Sequence, residues 1–154
     1  MITHSVQEFN QYLIANMPLI GIDYGLKKLG LAVSSHNLKM SLPLKIINTK
    51  NDLEKINIIL DLLIIHKASG IVIGLPISMD GSENENSTKI RMFAQNLANK
   101  TDLPIFMQDE RLSTSGANKL LQSYGFKRKD RNQMDDAVAA SLILETTLNT
   151  IMRL

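Results

Sequence analysis

The sequence contains no cysteine and no tryptophan, and only 5% of its 154 residues are aromatic. The absence of cysteine excludes disulfide bonds, a thiolate nucleophile and a Cys-ligated zinc site. No stretch reaches the length of a transmembrane helix, and the first residues lack the cationic-then-apolar pattern of a secretory signal. We therefore expect a cytoplasmic protein without a membrane partner.

The chain carries a formal net charge of only +2 at pH 7, so its overall charge does not make it a nucleic-acid-binding polycation. Its positive charge is concentrated in one short segment instead. A local cluster of this kind steers a polyanion towards it, although a basic loop is equally common as solvated surface. The residues that we expect to contact phosphates are Lys127, Arg128, Lys129 and Arg131.

Apolar periodicity predicts a single α/β domain with a mixed sheet. The predicted strands are 19–23, 29–35, 42–48, 71–73 and 104–107. Short turns join the first three strands, which favours an antiparallel meander, whereas helices separate the last two, which favours parallel pairing. The prediction is a mixed five-stranded sheet with an antiparallel meander, a parallel fourth and fifth strand, and flanking helices.

Four helices are predicted after the meander. They span 52–66, capped by Asp52, then a segment after the polar loop 79–86, a segment from Ser113 or Thr114, and about 136–150. In the first of these, the predicted core stripe is Leu53, Ile56, Leu60 and Leu63.

Residues 1–17 are predicted to form an N-terminal helical extension, and residues 18–154 the main domain. Val6, Phe9 and Leu13 have helical spacing, and Pro18 then ends the pattern. We expect this extension to pack on the domain or on a partner and to carry no chemistry.

Three acidic residues stand at the ends of predicted elements. Asp23 ends the first strand, Glu110 follows the last strand, and Asp136 opens the last helix. Ligands of open α/β sheets bind beyond the carboxyl ends of the parallel strands, so we expect these carboxylates to converge there. Each also has an ordinary alternative role. Asp23 could cap a turn, and Glu110 could form an ion pair with Arg111. Either Asp136 or its neighbour Asp135 could be the N-cap of the last helix.

Converging carboxylates require a cation, because unpaired carboxylates that lie close together would otherwise retain a proton. A ligand set made of oxygen alone favours Mg²⁺ or Mn²⁺ over zinc, and the three histidines lack ligand-like spacing. Two such ions roughly 4 Å apart can activate a water and stabilise the leaving oxygen of a phosphodiester.

Four sequence blocks together resemble the YqgF family. They are Gly21-Ile22-Asp23-Tyr24-Gly25 through Gly30, Gly74-Leu75-Pro76 with Met79-Asp80-Gly81, Asp109-Glu110-Arg111-Leu112 with Thr114, and Asp136 before Ala139-Ala140. These bacterial proteins are ribonuclease-H-like, similar to Holliday-junction resolvases, and implicated in maturing the 5′ end of 16S ribosomal RNA. The resemblance covers about residues 18–150. It implies a ribonuclease-H-like fold and divalent-metal hydrolysis, with catalytic and metal-binding roles for Asp23, Glu110 and Asp136.

The leading hypothesis is a metal-dependent endonuclease that acts on pre-16S rRNA during ribosome biogenesis, with the pre-ribosomal particle as a further partner. Lys27 and Arg111 join the basic cluster as expected nucleic-acid contacts. One alternative is a resolvase of branched DNA, which would work as a homodimer, so that monomer and homodimer both stay open. Others are a non-catalytic RNA-binding factor and a nucleotide-binding domain of the actin-like ATPase type, although the latter needs two lobes.

Overall fold

The computed structural model describes residues 1–111 and 135–154, which form one sheet and four helices. The strands are β1 Ile2–Thr3, β2 Leu19–Asp23, β3 Lys28–Ser34, β4 Ser41–Asn48, β5 Gly70–Leu75 and β6 Ile105–Asp109. The helices are α1 Val6–Gln11, α2 Asp52–His66, α3 Glu85–Ala98 and, after the undescribed segment, α4 Asp136–Met152. The predicted helix from Ser113 or Thr114 lies outside the described residues.

The strand order in the sheet is β1-β6-β5-β2-β3-β4. β2, β3 and β4 pair in antiparallel fashion, and β5 is parallel to both β2 and β6. The predicted mixed sheet is therefore confirmed, with its meander and its two parallel strands. The predicted number of strands is wrong, because β1 adds a sixth strand parallel to β6. A strand of two residues is too short to show an alternating pattern.

Within residues 1–111 and 135–154, the strands at the two edges of this sheet are β1 and β4. β1 has only two residues. β4 contains Pro43 opposite Ala32, and the pairing of β3 with β4 shifts register between Leu31 and Ala32. Pro43 and Lys45 are both exposed.

Each face of the sheet is covered by helices, and β2 is buried on both faces. Ile20 and Ile22 belong to the apolar core under α2 and α3, whereas Leu19 belongs to the core under α4. A side chain at Gly21 would collide with Leu144 of α4, so Gly21 lies on the same face as Leu19. Because side chains alternate along a strand, Asp23 also lies on the α4 face.

The N-terminal helix α1 is shorter than predicted and packs on the sheet. Its Phe9 is fully buried and stacks on Phe106 of β6, with 5.5 Å between the ring centroids. Phe9 and Leu19 share one apolar core. The division of the chain between residues 17 and 18 stays a prediction. No helix in the described parts of the chain is long and apolar enough to cross a bilayer.

Helix α2 departs from the prediction in its cap and in its core stripe. Asn51, not Asp52, is the N-cap, and its side chain accepts the backbone N–H of Glu54. Leu53 is 57% exposed, and the buried residues are Lys55, Ile56, Ile59 and Leu63. The many apolar residues of this helix permitted more than one stripe, and a lysine is not a residue that periodicity assigns to a core.

Candidate active site

Asp23 is the last residue of β2 and is 8% exposed. Because side chains alternate along β2, Asp23 shares the α4 face with Leu19 and Gly21. The carboxylate is therefore delivered to the end of a strand that is buried on both faces, directly beneath the helix that follows the undescribed segment.

Two glycines flank Asp23 in the sheet, one on each neighbouring strand. Gly30 of β3 is its partner across the antiparallel pair. On the other side, the pairing of Ile22 with Ile73 places Gly74 of β5 next to Asp23. The row Gly30–Asp23–Gly74, which we call the glycine row, has a single side chain on the α4 face.

The backbone of Asp136 lies on Gly30. A Cβ atom at Gly30 would lie 1.8 Å from the carbonyl oxygen of Asp136, a distance that no side chain permits. Asp135 is the N-cap of α4, and its Oδ1 accepts the backbone N–H of Val138 at 2.7 Å. Of the two adjacent carboxylates, Asp135 thus caps the helix, and Asp136 is its first residue.

The carboxylate of Glu110 lies on Gly74. A Cβ atom at Gly74 would lie 2.8 Å from Oε2 of Glu110 and 2.6 Å from Cδ1 of Ile143 in α4. The backbone N–H of Glu110 donates to the carbonyl of Leu75 at 3.2 Å, and the residue is 1% exposed. The missing side chain at Gly74 therefore creates the space that the buried carboxylate occupies beside Asp23.

The structure thus places the backbone of Asp136 and the carboxylate of Glu110 on opposite sides of Asp23 along the glycine row. Within residues 1–111 and 135–154, no three His, Cys, Asp or Glu side chains are grouped closely enough to hold an ion among them. Mg²⁺ usually keeps several waters and binds one or two carboxylates together with substrate phosphates, so a full protein cage is not required. The donors at the glycine row are carboxylate oxygens, which fit a hard divalent cation.

Arg111 pairs with Asp109 at the end of β6. Its Nη2 is 2.7 Å from Oδ2 of Asp109, and its backbone N–H donates to Oδ1 at 2.9 Å. Burial disfavours the charged form of Asp109, but the hydrogen bonds and charge of Arg111 outweigh this and hold its pKa below the usual range. A Cβ atom at Gly81 would lie 3.4 Å from Nη1 of Arg111, so Arg111 lies next to the turn that follows β5.

The predicted basic contacts fall into two groups. Lys27 is exposed in the turn after β2, close in sequence to Asp23. The cluster Lys127, Arg128, Lys129 and Arg131 lies outside the described residues. Lys28 was not among the predicted contacts, yet it is exposed and, two residues before Gly30, lies on the α4 face of β3.

Behind the glycine row, on the α2 face, a polar cluster joins α2 to the turn after Asp23. Lys55 is fully buried, and its Nζ is 2.9 Å from Oδ1 of Asp52. Tyr24 donates to the Asp52 carboxylate at 3.0 Å; burial and this hydrogen bond raise the pKa of Tyr24 to about 12. This cluster was not predicted, because nothing in the sequence distinguishes Lys55 from the exposed lysines.

Comparison with known proteins identifies the family. A family model described as "RuvX: Holliday junction resolvase" matches residues 17–150. A "Putative pre-16S rRNA nuclease" of Rickettsia rickettsii (strain Sheila Smith) is 50% identical over 151 residues, which cover 98% of both chains. A relative of the same name from Rickettsia bellii (strain OSU 85-389) is 49% identical over 154 residues, which span both chains fully.

A solved structure shares the fold at low sequence identity. "T. thermophilus RuvC in complex with Holliday junction substrate" matches with a TM-score of 0.56 and 14% identity, over 89% of this chain and 96% of that one. The predicted ribonuclease-H-like fold is confirmed. The family also confirms the predicted reaction class, a hydrolase that acts on phosphodiester bonds of nucleic acid. With residues 17–150 matched and half of the sequence identical to relatives of equal length, the chain belongs to the RuvX family, also called YqgF.

Proposed function

We propose that this protein is a divalent-metal-dependent endonuclease that matures the 5′ end of pre-16S rRNA in the cytoplasm. The observation that carries the proposal is the glycine row, where Asp136 lies on Gly30 and the Glu110 carboxylate lies on Gly74, on either side of Asp23. The name shared by the Rickettsia relatives supports the choice of substrate.

Asp23, Glu110 and Asp136 would hold Mg²⁺ or Mn²⁺, with two ions as the expected number. When bound, the ions lower the pKa of the attacking water and neutralise charge on the phosphate. Asp23 is held rigidly at the end of a buried strand, and Glu110 is held by burial between Gly74 and α4. No side-chain base is required.

Basic side chains around the glycine row would bind the phosphate backbone. Lys28 is exposed and lies on the α4 face, the face that carries the glycine row. Within the described residues, no carboxylate is within ion-pair distance of Lys28. Lys27 lies beside it, and Arg111 stands at the end of β6 beyond Glu110. The cluster Lys127, Arg128, Lys129 and Arg131 would extend this contact and bind the RNA as part of a pre-ribosomal particle.

Cleavage of a pre-16S rRNA fragment by wild type and by the Asp23→Asn variant tests this function. We expect wild type to cleave with Mg²⁺ or Mn²⁺ but not with EDTA, and Asp23→Asn to lose about 100-fold or more in rate. The matched control is Asp61→Asn, which makes the same change at an exposed position of α2 and should cleave like wild type. Cleavage that persists in EDTA, or in Asp23→Asn, would contradict the proposal.

A second candidate is resolution of branched DNA, which the family description and the RuvC structure with its junction substrate favour. The same three proteins should therefore also be assayed on a four-way DNA junction. Symmetric nicking of the junction by a homodimer, with no cleavage of the RNA fragment, would select this second function. RNA binding by wild type without turnover on either substrate would select the non-catalytic alternative.

A further inference from the structure

Lys55 of α2 is fully buried, and its ammonium group reaches out of its own helix. Its Nζ donates to the carbonyl of Leu26 at 2.7 Å, to the carbonyl of Gly25 at 3.1 Å and to Oδ1 of Asp52 at 2.9 Å. A lysine ammonium has three protons, so all of its donors are used. Two of the three bonds go to the turn that directly follows Asp23.

That turn is closed on itself. A Cβ atom at Gly25 would lie 2.3 Å from the carbonyl oxygen of Lys28, so the chain folds back tightly after Asp23 and enters β3 at once. The Lys55 ammonium also lies 4.7 Å from the ring centroid of Tyr24, which packs against Phe93. The turn is thus held by backbone closure within itself and by a cation from the α2 face.

Burying a lysine is unfavourable unless its charge is compensated, and an apolar residue would fill this helix position without that cost. Asp52 supplies the charge compensation from one turn earlier in the same helix. The remaining two bonds fix the carbonyls of residues 25 and 26, which lie two and three positions after Asp23. Stabilising the helix alone does not require them.

We propose that Lys55 is a positioning residue for the metal site: it holds the turn 24–27 from the α2 face and thereby fixes the carboxylate of Asp23 on the α4 face. This inference rests on the proposed function, because it assigns to Asp23 the role of metal ligand. Groups that orient a ligand without contacting the metal typically change metal affinity by about 10- to 100-fold when removed.

Mn²⁺ affinity, measured on the folded full-length protein by the EPR signal of free Mn²⁺, tests the proposal. We expect Lys55→Met to bind Mn²⁺ about 10- to 100-fold more weakly than wild type. The matched control is Asp52→Asn, which removes the compensating charge but keeps an amide oxygen at this position and both backbone carbonyls as acceptors for Lys55. We expect this control to lose stability while it keeps Mn²⁺ affinity close to that of wild type. The Asp23→Asn variant, which lacks one proposed ligand, gives the Mn²⁺ affinity that is expected when a ligand is lost.

Amide hydrogen exchange in residues 24–28 provides a readout that does not depend on the metal. We expect faster exchange there in Lys55→Met than in Asp52→Asn. Equal Mn²⁺ affinity and equal exchange in the two variants would overturn the positioning role. If wild type bound Mn²⁺ no more tightly than Asp23→Asn, the proposed metal site would fail, and the exchange rates would still decide whether Lys55 holds the turn.

Discussion

At the scale of single residues, the site depends on atoms that are absent as much as on the carboxylates themselves. Gly30 and Gly74 flank Asp23, and each makes room for a different acidic residue, through the backbone of Asp136 in one case and the carboxylate of Glu110 in the other. A glycine in a strand weakens that strand, so a glycine at such a position indicates close approach of another group.

Gly74→Ala should therefore lower the cleavage rate by more than its loss of stability alone would explain. The new methyl group would meet Oε2 of Glu110 at 2.8 Å and displace the buried carboxylate, while overpacking costs about 1–3 kcal/mol of unfolding free energy. The control is Gly70→Ala in the same strand, where the methyl group would meet Phe9 and Leu13 of the N-terminal segment. Urea unfolding and cleavage rates should show similar stability losses, with activity lost in Gly74→Ala alone.

At the scale of elements, the start of helix α4 contains both the residue that caps the helix, Asp135, and a proposed metal ligand, Asp136. Asp135 satisfies the backbone N–H of Val138, and this cap fixes where the helix begins. Asp136 is thereby placed on β3 beside Asp23. Further along the helix, Thr147 donates to Oε1 of Gln108 at 2.8 Å and ties α4 to β6.

Asp135→Ala should lower both stability and activity. Loss of an N-cap costs about 0.5–2 kcal/mol and frays the first turn, which carries Asp136. Asn84→Ala removes the corresponding cap of α3, whose side chain accepts the backbone N–H of Ser87. This control should show a similar loss of stability with a cleavage rate near that of wild type. An equal fall in activity for both variants would mean that the start of α4 has no special role.

Some elements of the fold could be predicted from the sequence alone, and others could not. The meander, β5 and β6 follow from apolar segments and short turns, and the predicted positions of Asp23 and Glu110 at the carboxyl ends of β2 and β6 agree with the structure. β1 was missed because its pairing with β6 depends on a contact between distant parts of the chain. Lys55 was not predicted, because it donates hydrogen bonds to two backbone carbonyls that lie 29 and 30 residues earlier and come within reach only in the folded chain.

At the scale of the whole molecule, the N-terminal segment is built into the sheet. β1 pairs with β6, and Phe9 stacks on Phe106 in the core that also contains Leu19 and Leu144. This core lies under α4, so the segment and the helix that bears Asp136 are packed on the same face.

Phe9→Ala should destabilise the protein by about 3–5 kcal/mol, because it leaves a cavity in that core. Tyr12 lies just beyond α1 and is 59% exposed, so Tyr12→Ala should change the unfolding free energy by less than about 0.5 kcal/mol. Urea unfolding of both variants measures the difference. A small effect of Phe9→Ala would show that the segment folds independently of the sheet.

The two sheet edges described above limit how copies of this chain can associate. β1 offers only two residues to a neighbouring strand. β4 has a proline without an N–H and an exposed lysine in its middle, features that disfavour the joining of strands from two molecules into a continuous sheet. A homodimer suited to a two-fold symmetric substrate would therefore be held together through helices or loops, and its interface would be recognised by side-chain packing rather than by a shared backbone ladder.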